Sequence, residues 1–171
     1  MAAFDEGHYA QAFPSFGSER MGAPVVAFCR IGDSEIRSHE PIEEPDALIV
    51  QDPTLIHQVD LFSGVDGDAF LLFNTARSLD ELGLGEIVSA LRPERVRTVP
   101  ATEIARRCLG RPLPNAALLG AFAALTGAVS LGSVTDAIHG RFPEAVAAGN
   151  AAAAKEAYAA VRPPIGELTS A

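Results

Sequence analysis

The chain is poor in cysteine. Cys29 and Cys108 are its only two, 79 positions apart, and no C-x-x-C occurs. That spacing excludes an iron–sulfur cluster, a structural zinc site or a disulfide framework held by this chain. Cys29 lies inside the apolar run Val25-Val-Ala-Phe-Cys-Arg-Ile31 and is expected to be a buried, inert thiol. Long apolar runs are missing too. None approaches the ~20 residues needed to span a bilayer, and no basic-then-apolar leader opens the chain, so it reads as cytoplasmic. No G-x-S-x-G surrounds Ser15, and no G-x-G-x-x-G or Walker A follows a strand. Gly83-Leu-Gly85 does not closely follow a strand and reads as loop. His8, His39, His57 and His139 have no metal spacing, and Asp60, Asp66 and Asp68 fail the EF-hand pattern. A self-contained hydrolase, dinucleotide enzyme or calcium module is therefore not expected.

Positive charge is also scarce. The net charge is −9, which argues against a nucleic-acid or anionic-membrane surface. Residues 1–85 hold 15 acids and 4 basic residues, whereas residues 86–171 hold 7 acids and 9 basic residues. The acidic half suits either a docking partner or plain solvation.

What is present is a globular chain of 171 residues, 48% apolar, enough for one core. A single domain is expected over 1–164, with an extended tail over 165–171. Met1 to Tyr9 reads as the end of a helix. Residues 10–25 have neither the helical nor the strand period, and their prolines and glycines predict a shaped, non-repetitive loop. Strands are expected at 25–31 and 35–38, paired as a hairpin, and at 46–51, 69–74 and 96–99. The two apolar runs 46–51 and 69–74 should be central and parallel. A short helix falls within 79–91. Further helices are expected over 101–109, 116–126, 130–140 and 144–161, with Asn115 and Ser130 as caps. This order predicts an α/β fold, a three-layer sandwich around a mixed, mostly parallel β-sheet.

Few residues stand out as site candidates. Arg20 suits bidentate pairing with a phosphate or carboxylate, or an internal pair with Glu19. Asn74 and Thr75 end a buried strand, where open α/β sheets place ligands, though a hydrogen-bonded turn explains them equally. Asn115 is a helix cap or a ligand contact at a helix N-terminus.

The string Ala10-Gln-Ala-Phe-Pro-Ser-Phe-Gly-Ser-Glu-Arg-Met-Gly-Ala-Pro-Val25 resembles the gamma subunit of 2-oxoacid:ferredoxin oxidoreductases, the pyruvate synthase type. So do Asp46-Ala-Leu-Ile-Val-Gln-Asp-Pro-Thr-Leu55, Leu72-Phe-Asn-Thr75 and Arg111-Pro-Leu-Pro-Asn-Ala-Ala-Leu-Leu-Gly-Ala-Phe122. Order and spacing match from about residue 2 to about 161. The resemblance implies a non-catalytic subunit of a complex that oxidatively decarboxylates a 2-oxoacid to an acyl-CoA and CO2. Electrons leave for ferredoxin or NAD. Thiamine diphosphate with Mg2+ and the [4Fe–4S] clusters are implied in the alpha, beta and delta partner subunits, with none bound by this chain alone. CoA is the co-substrate. The resemblance places Phe13, Ser15, Phe16, Gly17, Glu19 and Arg20 at the active-site or subunit face, with Asn74 and Asn115 nearby. An indolepyruvate or phenylglyoxylate oxidoreductase is the alternative within the same subunit type. A purely structural interaction subunit is the alternative outside it.

Two departures accompany the resemblance. Family members usually open with a strand and a Gly-x-Gly-Gly-Gln-Gly loop before the matched region, and this chain starts inside the following helix. The expectation is a late start, or a partner that replaces the first strand. Met21 stands where a second arginine is common, which removes a positive charge.

Overall fold

The computed structural model of the chain describes residues 1–15 and 24–162. Its centre is a three-stranded parallel sheet of β3 (Ala47–Val50), β4 (Phe70–Asn74) and β5 (Val96–Val99), in the order β3-β4-β5. Side chains alternate across it. Leu72 and Val99 face one cluster, whereas Val50, Leu71, Phe73 and Val96 face another. Burial on both faces explains why the central strand β4 reads as an apolar run.

Four helices lie beyond β5: α3 (Ala101–Leu109), α4 (Asn115–Thr126), α5 (Leu131–Arg141) and α6 (Glu144–Val161). The face holding Leu72 and Val99 is covered by α3, α4 and α6 through Ile104, Ala117, Leu118, Ala121, Ala153 and Ala157. A second cluster joins α4, α5 and α6 through Ala116, Ala123, Val134, Ile138, Ala147, Ala151 and Ala154. Alanine thus lines two sides of α6, one toward each cluster. The opposite face of the sheet is covered by residues 53–68 and 79–91, including the one-turn helix α2 (Gly85–Ser89). Phe62 packs on Phe73 there, ring centroids 6.4 Å apart. Gly64, at φ +76°, lets that loop touch the connector before β3: a Cβ there would sit 1.7 Å from the Glu43 carbonyl oxygen.

The N-terminal region departs from expectation. Helix α1 covers only Ala2–Asp5, and Tyr9–Ser15 is a strand, β1, where a loop is predicted. Its partner is β2 (Val26–Gly32), antiparallel, from Tyr9 opposite Gly32 to Ser15 opposite Val26. Residues 35–38 are not a strand, so the predicted 25–38 hairpin is corrected to β1–β2. Proline is compatible because a two-stranded ribbon consists of edges, where Pro14 can face its missing N–H away from the partner. The ribbon is a separate sheet, so the α/β class holds while the single mixed sheet resolves into a parallel and an antiparallel one. Cys29 is exposed on the ribbon, not buried, because its neighbours two positions away face solvent with it.

Helix α1 is docked on the helical layer. Ala3 is buried among α4, α5 and α6, and the Glu6 carboxylate accepts from Ser130 N at 2.8 Å, at the cap of α5. The Ser133 hydroxyl, then the Ser130 N–H and hydroxyl, hold the Glu6 carboxyl down to about 2, against an ordinary 4.5. Gly120 in α4 faces α6 so closely that a Cβ would lie 2.0 Å from the Ala154 carbonyl oxygen. Gly120→Ala should destabilise the chain by about 1–3 kcal/mol, read by denaturant unfolding, despite alanine's better helix propensity. Gly132→Ala in α5, which meets only Ser130 Oγ at 3.6 Å, should be neutral or stabilising. Because its folded pKa is depressed, Glu6 contributes stability as the carboxylate, fully present above its unfolded value and lost as pH falls toward the folded one. The melting-temperature gap between wild type and Glu6→Gln should be constant above about pH 5.5 and close as pH approaches about 2.

Candidate functional site

β1 and β2 position the first group of candidates. Opposed residues of an antiparallel pair share a face, so Gln11 with Arg30, Phe13 with Phe28 and Ser15 with Val26 form one face of the ribbon. Phe13 and Phe28 pack with centroids 5.5 Å apart, tilted by 41°. The Arg30 guanidinium lies 5.9 Å from the Phe13 ring centre, a cation–π contact, and Nη2 donates to the Glu40 carbonyl at 2.7 Å. Gln11 Nε2 is 3.3 Å from the His39 ring nitrogens. Gln11 Oε1 and Arg30 Nη1 are buried and have no hydrogen-bond partner among the described residues. Gln11 and Arg30 therefore tie this face to the connector, and Phe13 and Ser15 on it are half-buried. Phe28, Arg30 and His39 were missed in the sequence. The two-residue spacing of Gln11, Phe13 and Ser15 was the available signal for this face.

Asn74 is at the carboxyl end of β4, as predicted. Its Nδ2 donates to the Gln51 carbonyl at 2.9 Å and to Thr102 Oγ1 at 2.8 Å, and its Oδ1 accepts from Thr102 N at 3.0 Å. Both amide protons are thus directed inside the fold. Pro100 precedes α3 and gives it no side-chain cap, so Asn74 satisfies one free N–H of the helix from the neighbouring strand. Thr75 N donates to the Val99 carbonyl at 2.9 Å. Asn115 is not a cap: Pro114 occupies that position, and Asn115 is the first residue of α4, exposed, without a capping bond. The proline fits because the start of a helix has no partner for an N–H.

Phe13 and Ser15 are together on the ribbon. No hydrogen bond or shared cluster among the described residues joins them to Asn74 or Asn115. Gly17, Glu19 and Arg20, like Phe16 and Met21, lie outside the described residues. Among the described residues no group of three or more His, Cys, Asp or Glu side chains is placed to hold a metal ion, and no helix is long and apolar enough to cross a membrane. A shallow recess of about 250 Å³ between Phe62, Val65, Ile87 and Leu91 contains none of the predicted site residues.

A family model described as pyruvate ferredoxin/flavodoxin oxidoreductase matches residues 1–160. The chain belongs to this family, in its gamma-subunit type. It is 46% identical over 157 residues to the pyruvate/ketoisovalerate oxidoreductases common subunit gamma of Thermococcus kodakarensis, covering 92% of this chain and 83% of that one. The pyruvate synthase subunit PorC of Methanothermobacter marburgensis is 45% identical with the same coverage. The crystal structure of pyruvate oxidoreductase subunit PORC from Thermotoga maritima superposes with a TM-score of 0.75 at 34% identity, over 92% of this chain and 83% of that one. Family membership and fold therefore agree along nearly the whole chain.

In this gamma-type chain the Asn74 bridge ties β3, β4 and α3 at the carboxyl end of the sheet. Asn74→Ala should cost about 1–3 kcal/mol, read by thermal or denaturant unfolding, because the Gln51 carbonyl and Thr102 N–H lose their partner. Asn74→Asp should cost less, since a carboxylate still accepts from Thr102 N.

Proposed function

We propose that the chain is the non-catalytic gamma subunit of a 2-oxoacid oxidoreductase complex. The reaction converts a 2-oxoacid and CoA to an acyl-CoA, CO2, one proton and two electrons, which pass to ferredoxin or NAD. The observation that carries this reading is the family match over residues 1–160, with relatives named as gamma subunits. With two cysteines in all, the chain does not fit a four-thiolate cluster, so the clusters belong to other subunits. Thiamine diphosphate, with its Mg2+, likewise belongs to the partners and supplies the carbanion stabilisation. The assembly reads as cytoplasmic, with alpha, beta and delta partners.

Substrate choice sits outside this chain in our reading. The Thermococcus relative is named as common to pyruvate and ketoisovalerate oxidoreductases, so one gamma type serves two 2-oxoacids there. The same logic leaves room for an aryl 2-oxoacid such as indolepyruvate or phenylglyoxylate. The role we assign to Phe13, Ser15, Gly17, Glu19 and Arg20, with Asn74 and Asn115, is to line the face toward the active site and the arriving CoA. Arg20 is the group suited to a CoA phosphate. In the assembled complex, Arg20→Ala should raise the KM for CoA about tenfold or more, with kcat little changed, as expected for a lost charge-assisted contact. Normal assembly with an unchanged KM would leave the purely structural interaction role instead.

A further inference from the structure

The ribbon and its connector are tied closely to each other and at few points to the rest of the chain. Phe13 packs on Phe28, and the Arg30 guanidinium lies over the Phe13 ring. Arg30 Nη2 donates to the Glu40 carbonyl at 2.7 Å, and Gln11 Nε2 is 3.3 Å from the His39 ring nitrogens. None of residues 9–46 enters any of the three hydrophobic clusters of the body. Among the described residues, no hydrogen bond, ion pair or aromatic contact joins 9–45 to 46–162. A unit that shares so little buried surface with its neighbour separates from it at low cost, before its own pairing breaks.

Two joints bound this unit. Gly7, at φ +89°, turns the chain out of α1, and its N–H and that of His8 donate back to the Phe4 and Ala3 carbonyls. The Glu6 carboxylate is held at the cap of α5. The backbone nitrogen of His8 is thus on the body, whereas its Nδ1 lies 2.9 Å from Asp33 Oδ1 on the ribbon side. The second joint is Ile42. Before it, the Glu40 and Pro41 carbonyls accept from Arg30. After it, the Glu43 carbonyl lies against Gly64, and the Asp46 carbonyl accepts from Phe70 N at 2.8 Å. Hinges in proteins are a few such residues at the ends of elements.

We propose that Tyr9–Ser15 and residues 24–41 form one rigid arm that pivots on the body at His8 and Ile42. The arm itself is independent of the subunit reading above, and only its consequence for CoA rests on that reading. Phe13 and Ser15 travel with the arm, whereas Asn74 and Asn115 belong to the body. The face assigned to CoA is therefore built from two parts that move relative to each other, and bound CoA holds one position of the arm.

The test is a spin-label distance measurement on the full chain with Cys108→Ala. One label is at Glu103→Cys, exposed on α3 of the body. The other is at native Cys29 or, with Cys29→Ala, at Glu40→Cys on the arm or Asp5→Cys on α1, all exposed. Distances from the two arm positions should be spread at least about twice as widely as those from Asp5→Cys, two residues before the turn at Gly7. Amides of the β1–β2 pairs should stay protected from hydrogen exchange, as in an arm that moves whole. Equal spreads at Cys29, Glu40→Cys and Asp5→Cys overturn the arm, and so does an unprotected ribbon. In the complex assembled with the thiamine- and cluster-bearing subunits, added CoA should narrow the Cys29 distances to the spread seen from Asp5→Cys. No narrowing overturns the capture by CoA and leaves both the arm and the subunit reading standing. A chain that recovers no such subunits overturns that reading, while the free chain still decides on the arm.

Discussion

The close approach of α4 to α6 at Gly120 and Ala154 is the contact on which the rest of the fold depends. With no side chain at Gly120, the two backbones come together, and alanines fill the space where leucines would hold the helices apart. α6 then has one alanine face against the sheet-side cluster and another against α5 and α1. Tight packing of small groups stabilises through many short-range contacts and has little tolerance for added volume. The sheet, in turn, has one face packed on helices around Leu72 and Val99 and the other covered by loops carrying Phe62, Leu82, Leu84 and Leu91.

Two small devices fix other parts of this arrangement. Asn74 ties the ends of β3 and β4 to the start of α3. Glu6 and Ala3 fasten the N-terminal turn to the helical layer, immediately before the ribbon begins at Tyr9. The ribbon follows this anchored turn, with Gln11 and Arg30 bonded to its own connector and Ala12 and Cys29 exposed on the opposite face.

Much of this was legible in the residues. The strands 47–50 and 70–74 are apolar runs and the helices are mostly bounded by glycine and proline, so elements with strong local signals were found near their true limits. The ribbon was not. Both of its faces carry apolar residues, which erases the alternation that marks a half-buried strand, and Pro14 argues against a strand unless the pair is known to be all edge. For the same reason Cys29, amid apolar neighbours, read as buried although it faces outward. Asn74 was placed correctly at a strand end, but its link to Thr102 joins residues 28 apart and has no local signature. The family resemblance, carried by four motifs, located the chain among gamma subunits before any geometry was known.

The central claim is that this chain works only as part of a larger oxidoreductase. The most direct measurement is native mass spectrometry of the chain purified gently by a tag from its own cells, with iron and thiamine diphosphate assayed in the same sample. The account predicts a brown hetero-oligomer in which this chain is stoichiometric with thiamine- and cluster-bearing subunits. A colourless, stable monomer or self-dimer, free of both groups, would contradict it.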